Sequence, residues 1–162
     1  MLIIMQNLIQ QAHLRLLKSK LTIATAESCT AGLLSSLLTR FSGSSKYFIL
    51  GVTTYSNKTK ESILGIPASV IRKNGAVSKK VALSMAQNVK KLAKTDFGIS
   101  ITGIAGPTGA TLQKPVGTVF ICVSSKNKNI CKRFIFQGNR NVIREQASLN
   151  ALKLLNANIH SH

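Results

Sequence analysis

The sequence predicts an α/β protein, a three-layer α/β/α sandwich with a mixed sheet, in a single domain spanning residues 1–162. Three observations point there. Apolar β-like runs alternate with stretches whose apolar residues recur at steps of three and four, the pattern of strands separated by amphipathic helices. Two strand-like runs, Val116 to Ser124 and Ile130 to Phe136, flank Lys126-Asn127-Lys128-Asn129, so the sheet holds an antiparallel hairpin beside its crossovers. An apolar content of 44% with few aromatics supplies a Leu, Ile, Val and Ala core, and 162 residues leave too little chain for a second domain.

Taken in order, residues 3–19 read as a helix, with Ile4, Leu8, Ala12 and Leu16 at steps of four and Met5 and Ile9 widening the stripe. Leu21 to Ala26 follows as a short strand, and Glu27 to Gly32 as a strand-to-helix turn. The next helix places Cys29, Leu33, Leu37 and Phe41 on one face and stops at Ser42-Gly43. Phe48 to Tyr55 is the second strand. Lys58 to Leu64 begins a short helix ended by Gly65, and Pro67 opens another that runs to about Arg72. After the Asn74-Gly75 turn, Ser78 caps a long helix through Lys91. Phe97 to Thr102 is an apolar strand entering the glycine-rich loop Gly103 to Gly109. Beyond the hairpin, Gly138-Asn139-Arg140 turns into a last helix carrying Ile143, Ala147, Ala151 and Leu154.

Charge excludes less than its size suggests. Lys and Arg total 22 against four acids, Glu27, Glu61, Asp96 and Glu145, for a net +18. Such a field attracts anions. The basic residues are scattered, however, without a basic arm or interleaved aromatics, so nucleic acid is expected at most as a non-specific partner. No run approaches a membrane span and no leader pattern is visible, so membrane partners are not expected and the cytoplasm is the expected location. Cys29, Cys122 and Cys131 form no C-x-x-C pair and read as buried or half-buried free thiols. The histidines sit near the termini, and the final His160-Ser161-His162 reads as a frayed end; neither a metal nor a cofactor is expected.

Three loops with unusual chemistry leave element ends: Ala26 to Gly32, Ser42 to Ser45, and Thr102 to Gly109. Ligands in open α/β sheets collect beyond the carboxyl ends of strands. Ser28 and Thr30 stand where a helix begins, which suits either an oxyanion site or simple capping. The glycine loop lacks the ending of a phosphate-binding P-loop and serves equally as turn or ligand cradle. With no histidine in these motifs, a Ser-His-Asp triad is excluded, and Ser45, Tyr55 and Lys60 remain as nucleophile, phenolic relay and amine base. They converge if Tyr55 ends a strand and Lys60 starts the next helix. A desolvated Lys60 could be the base; a solvated helix-start lysine is the ordinary alternative.

These motifs together resemble a known family. Thr25-Ala26-Glu27-Ser28-Cys29-Thr30-Ala31-Gly32, Gly43-Ser44-Ser45, Val52 to Asn57 with Lys60, Gly75-Ala76-Val77-Ser78, Thr102 to Pro107 and Lys114 to Thr118 are similar, in order, to the CinA C-terminal domain. The resemblance runs from about Leu16 to Leu155. Its stand-alone members deamidate nicotinamide mononucleotide to nicotinate mononucleotide and ammonia in pyridine-nucleotide salvage, without a cofactor. The resemblance implies the family's three-layer fold, Ser45 as nucleophile, Lys60 as base and Tyr55 as relay. It further implies substrate-binding roles for Ser28, Thr30, Thr102, Gly103, Ala105, Gly106, Arg140 and Arg144, with Arg140 on the phosphate. A homo-oligomer is compatible with it. Three positions depart from the family pattern: Ala31 for a glycine, and Thr108 and Asn139 for aspartates. The alternative is a catalytically silent, nucleotide-binding or competence-associated relative with a basic surface.

Overall fold

A computed structural model describes residues 2–159, with side-chain surroundings from residue 6 onward; His160 to His162 and the side chains of Ile4 and Met5 lie outside the described residues. The elements follow as α1 (Leu2–Ser19), β1 (Ile23–Glu27), α2 (Leu33–Leu38), a 3-10 turn (Ser44–Lys46), β2 (Phe48–Thr53), α3 (Asn57–Ser62), α4 (Ala68–Asn74), α5 (Lys79–Ala93), β3 (Phe97–Gly103), β4 (Thr118–Ser124), β5 (Asn129–Ile135) and α6 (Arg140–Asn156). The expected order of strands and helices is present throughout. The largest differences lie around the second helix, which begins at Leu33 rather than near Cys29, and at β2, which ends two residues before Tyr55.

The five strands form one mixed sheet in the order β2-β1-β3-β4-β5. β2, β1 and β3 run parallel, and β4 and β5 add antiparallel neighbours as the hairpin signal requires. Side chains alternate across the pleat. Ile23, Ile99, Ile101, Ile121 and Val123 enter one core with α1, α2 and α6, while Ala24 and Ala26 face Val81, Met85 and Val89 of α5. Helices therefore cover both faces. Among the described residues no helix is long and apolar enough to cross a membrane.

The α5 face of β3 is made of small residues, which brings the helix close to the sheet. Ser100 Oγ donates to the carbonyl of Ala82 at 2.6 Å, and a β-carbon on Gly98 would stand 2.0 Å from the carbonyl oxygen of Ala86. Backbone cannot yield as a flexible side chain can, so Gly98→Ala is expected to destabilise the fold by about 1–3 kcal/mol through overpacking. Urea unfolding, with the midpoint lowered at unchanged slope, checks this.

The cysteine expectation is corrected. Cys122 and Cys131 lie opposite each other in the β4–β5 register, their Cα atoms 4.1 Å apart, and are joined as a disulfide. Nine positions separate them in the chain, and only the hairpin register brings the pair together. Cys29 is the free cysteine.

Candidate active site

The carboxyl ends of β1, β2 and β3 are adjacent because these three strands are parallel. Each leads into one of the loops with unusual chemistry or into α3. Ser28 follows β1 directly, and its N–H donates to the carbonyl of Ile101 on β3 at 2.9 Å. Thr54 follows β2, and its N–H donates to the carbonyl of Glu27 at 2.8 Å. Ser56 then caps α3 by accepting from the N–H of Thr59, so that α3 turns its last full turn back toward the sheet.

That turn carries Lys60, which is only 1% exposed. Its Nζ lies 2.7 Å from the carbonyl oxygen of Thr54, 3.3 Å from that of Tyr55 and 3.1 Å from Ser28 Oγ. Burial holds its pKa below the ordinary lysine value, because a charged amine loses solvation there. A neutral amine has two N–H groups for the two carbonyls and one lone pair for the serine hydroxyl. The ordinary alternative, a solvated helix-start lysine, is thus set aside: α3 is short, and its inner face closes the pocket.

A cavity of about 290 Å³ opens at this pair. Its walls are Ser28, Cys29 and Lys60 on one side, the Thr102 to Gly106 loop with Thr108 and Gly109 on another, and Tyr55, Asn57 and Arg140 at the rim. Ala76 and Val77, ahead of α5, complete it. Its ionisable lining contains Lys60, Arg140, Tyr55 and Cys29 and no carboxylate, so it suits an anionic ligand. Burial, helped by the nearby Glu27 carboxylate, pushes the Cys29 thiol up to about 12. Beside Ser28 it stays protonated and is a poor nucleophile.

The sequence-derived residues divide. Ser28, Thr102, Gly103, Ala105, Gly106, Tyr55, Lys60 and Arg140 all line this cavity. Ser45 does not. It lies in the turn before β2, exposed, at the amino end of a strand whose other end leads to Lys60. Six extended residues set those ends roughly 20 Å apart. The expected convergence of Ser45, Tyr55 and Lys60 is therefore replaced by Ser28 and Lys60. The Tyr55 phenol hydrogen-bonds neither of these groups. Lys60 meets the Tyr55 carbonyl, while the phenol oxygen accepts from Arg140 Nη2 at 2.9 Å, and Arg140 Nη1 donates to the Gly106 carbonyl at 2.8 Å. Thr30 and Arg144 sit behind the wall rather than on it, Arg144 Nη2 donating to the Thr30 carbonyl at 2.9 Å.

Other residues were not singled out from sequence. Glu27 is buried and accepts from the N–H groups of Gly32, Leu34 and Ser35, so the α2 N-terminus, open from sequence to either an anion or a cap, is filled by this side chain. Its signal was an acid between a β-run and a helix start. Asn57 and Val77 carry no comparable signal. Of the departing positions, Asn139 caps α6 by accepting from Asn141 and Val142, whereas Thr108 does line the cavity.

Comparison with known proteins follows the same outline. Residues 5–159 match the model of the CinA C-terminal domain. The chain is 49% identical over 138 residues to a putative competence-damage inducible protein of Thermoanaerobacter pseudethanolicus, covering 85% of this chain and 33% of that one. It is 49% identical over 154 residues to a CinA-like protein of Leptospira biflexa, covering 94% and 37%. The chain thus spans about a third of the length of these relatives. Among solved structures, the competence/damage inducible protein CihA from Agrobacterium tumefaciens superposes with a TM-score of 0.92 at 33% identity, covering 95% of this chain and 94% of that one. A CinA superfamily protein from Escherichia coli gives 0.90 at 33%, covering 94% and 90%. With residues 5–159 matched to the family model and its fold shared with solved members, the chain belongs to the CinA C-terminal domain family.

Proposed function

We propose that this chain is an amidohydrolase that releases ammonia from nicotinamide mononucleotide, with Ser28 as nucleophile and Lys60 as its base. The carrying observation is the buried Lys60 Nζ, 3.1 Å from Ser28 Oγ at the floor of a cavity free of carboxylates. A serine hydroxyl needs an adjacent base to act at neutral pH, and an amine kept uncharged by burial is one.

In this reading the substrate carboxamide enters the cavity with its carbon against Ser28 Oγ. Lys60 takes the hydroxyl proton as Oγ attacks, and later gives it to the departing nitrogen. The tetrahedral oxyanion needs donors already aimed at it; Cys29, next after the nucleophile, and Ala105 line the cavity, and in this reading their backbone N–H groups serve. Water then attacks the Ser28 ester, again through Lys60, and regenerates the hydroxyl. At the rim Arg140 takes the phosphate, since a guanidinium meets it with two parallel hydrogen bonds.

Arg140 is already held by Gly106 and Tyr55, so it is preorganised for an anion. Arg140→Ala is expected to raise KM about tenfold or more with a smaller effect on kcat, because the phosphate is gripped equally in ground and transition states. A defect confined to kcat would contradict that assignment. The proposed activity itself is tested by ammonia release from nicotinamide mononucleotide, nicotinamide riboside and nicotinamide. Preference for the phosphorylated compound is the expected result, and no release from any of the three would reject it.

A further inference from the structure

Four acids stand against 22 basic residues in this chain, and one of them, Glu27, is almost fully buried. A buried carboxylate is costly unless its lone pairs are filled. Here the donors come from a helix end. Oε2 accepts from the N–H of Gly32 at 3.0 Å and of Leu34 at 3.1 Å, and Oε1 from the N–H of Ser35 at 2.8 Å and its hydroxyl at 2.6 Å. First-turn amides have no partner within their own helix, so the carboxylate and the start of α2 complement each other.

The chain between donor and acceptor is the turn that carries Ser28. It doubles back through Ala31 and Gly32, both left-handed with φ of 50° and 93°, and the Glu27 carboxylate closes it like a clasp. The main chain of the same residue secures the other partner. Its carbonyl accepts from Thr54 N, and the Thr54 carbonyl in turn accepts from Lys60 Nζ.

We propose that Glu27 is a positioning residue, whose side chain sets where Ser28 Oγ stands relative to Lys60. The proposal rests on the Ser28–Lys60 reading. A carboxylate serving stability alone would shift the unfolding midpoint and leave the reaction of Ser28 untouched.

Glu27→Gln separates the two roles, because its NH₂ must oppose at least one of the backbone N–H groups while the main-chain bonds to Thr54 stay. The expected result is a fall in kcat on the order of 10²-fold, the effect of roughly 1 Å of misplacement. KM changes by less than about threefold, since the rim is untouched. The acid limb of the pH–rate profile stays in place because Lys60 keeps its surroundings. Labelling of Ser28 by a fluorophosphonate, which needs no natural substrate, slows in parallel. Ser35→Ala, which removes one donor to the carboxylate and leaves the Thr25 hydroxyl without this partner, reproduces the pattern at a few-fold and decides the matter should the glutamine variant not fold. Unchanged kcat and labelling in a folded variant would overturn the proposal, as would a displaced acid limb, which would make Glu27 act through Lys60. A wild-type protein inert to substrate and fluorophosphonate alike would reject the Ser28–Lys60 pair, and Glu27's role with it.

Discussion

Lys60→Met is expected to lower ammonia release on the order of 10³-fold while the protein stays folded. The loss is that of a general base, worth 10²- to 10⁴-fold in typical cases. Methionine fills the space of the lysine stem, so no large cavity opens beneath α3. Two opposing effects act on stability. The variant no longer buries an amine, but the Thr54 and Tyr55 carbonyls lose a donor, each worth about 1 kcal/mol. They act in opposite directions, and the unfolding free energy at neutral pH should change by no more than about 1 kcal/mol.

The pH dependence follows from the direction of the Lys60 shift. Burial holds its folded-state pKa below the ordinary 10.5, so the folded protein binds fewer protons at this residue than the unfolded chain does. The stability this neutral amine contributes is present above 10.5 and is lost as pH falls toward the depressed folded value. The difference between wild type and Lys60→Met should therefore turn against the wild type over that window and level off below it. Activity follows the same titration: it rises as pH rises through the folded pKa and falls away on the acid side. A wild-type rate insensitive to pH across the window, or a methionine variant of full activity, would remove Lys60 from the reaction.

Ser28→Ala and Ser45→Ala form the second comparison. The first should reduce turnover by at least about 10³-fold, since the residual rate then rests on binding and oxyanion donors alone. The second should leave the rate within about twofold, because an exposed turn serine at the amino end of β2 touches no part of the cavity. Both substitutions are small enough to preserve the fold, so circular dichroism should not distinguish them from wild type. Equal loss in the two variants would contradict the geometric assignment.

The contrast between these serines shows where sequence reasoning reached its limit. Period and punctuation place helices and strands well: the β4–β5 hairpin, the Ser78 cap accepting from Val81, and the long α5 are all as expected. They do not say which end of a strand faces a ligand. Ser45 lies fifteen positions from Lys60 but on the far side of an intervening strand, while Ser28, thirty-two positions away, is its hydrogen-bonded neighbour. Only the parallel pairing of β1 with β2 sets that, and pairing is non-local. The burial of Lys60 is hidden for a related reason, because six residues of α3 carry no readable apolar stripe. The glycine loop and Arg140, in contrast, both line the cavity, the loop because it leaves β3 at the carboxyl end of the sheet and Arg140 because it opens α6 beside it.

Glu27 links the two outcomes. Its place between a β-run and a helix start was legible, yet its partners are amides that exist as free donors only once α2 has formed. An acid retained in so basic a chain is explained by those donors.

The most direct measurement is to quench the protein after mixing with nicotinamide mononucleotide and map the proposed acyl adduct by peptide mass spectrometry. The added mass should sit on the peptide containing Ser28 and be absent from Ser28→Ala, with the Ser45 peptide unmodified. An adduct on Ser45, or full ammonia release by Ser28→Ala, would contradict a serine hydroxyl activated by the buried amine of Lys60.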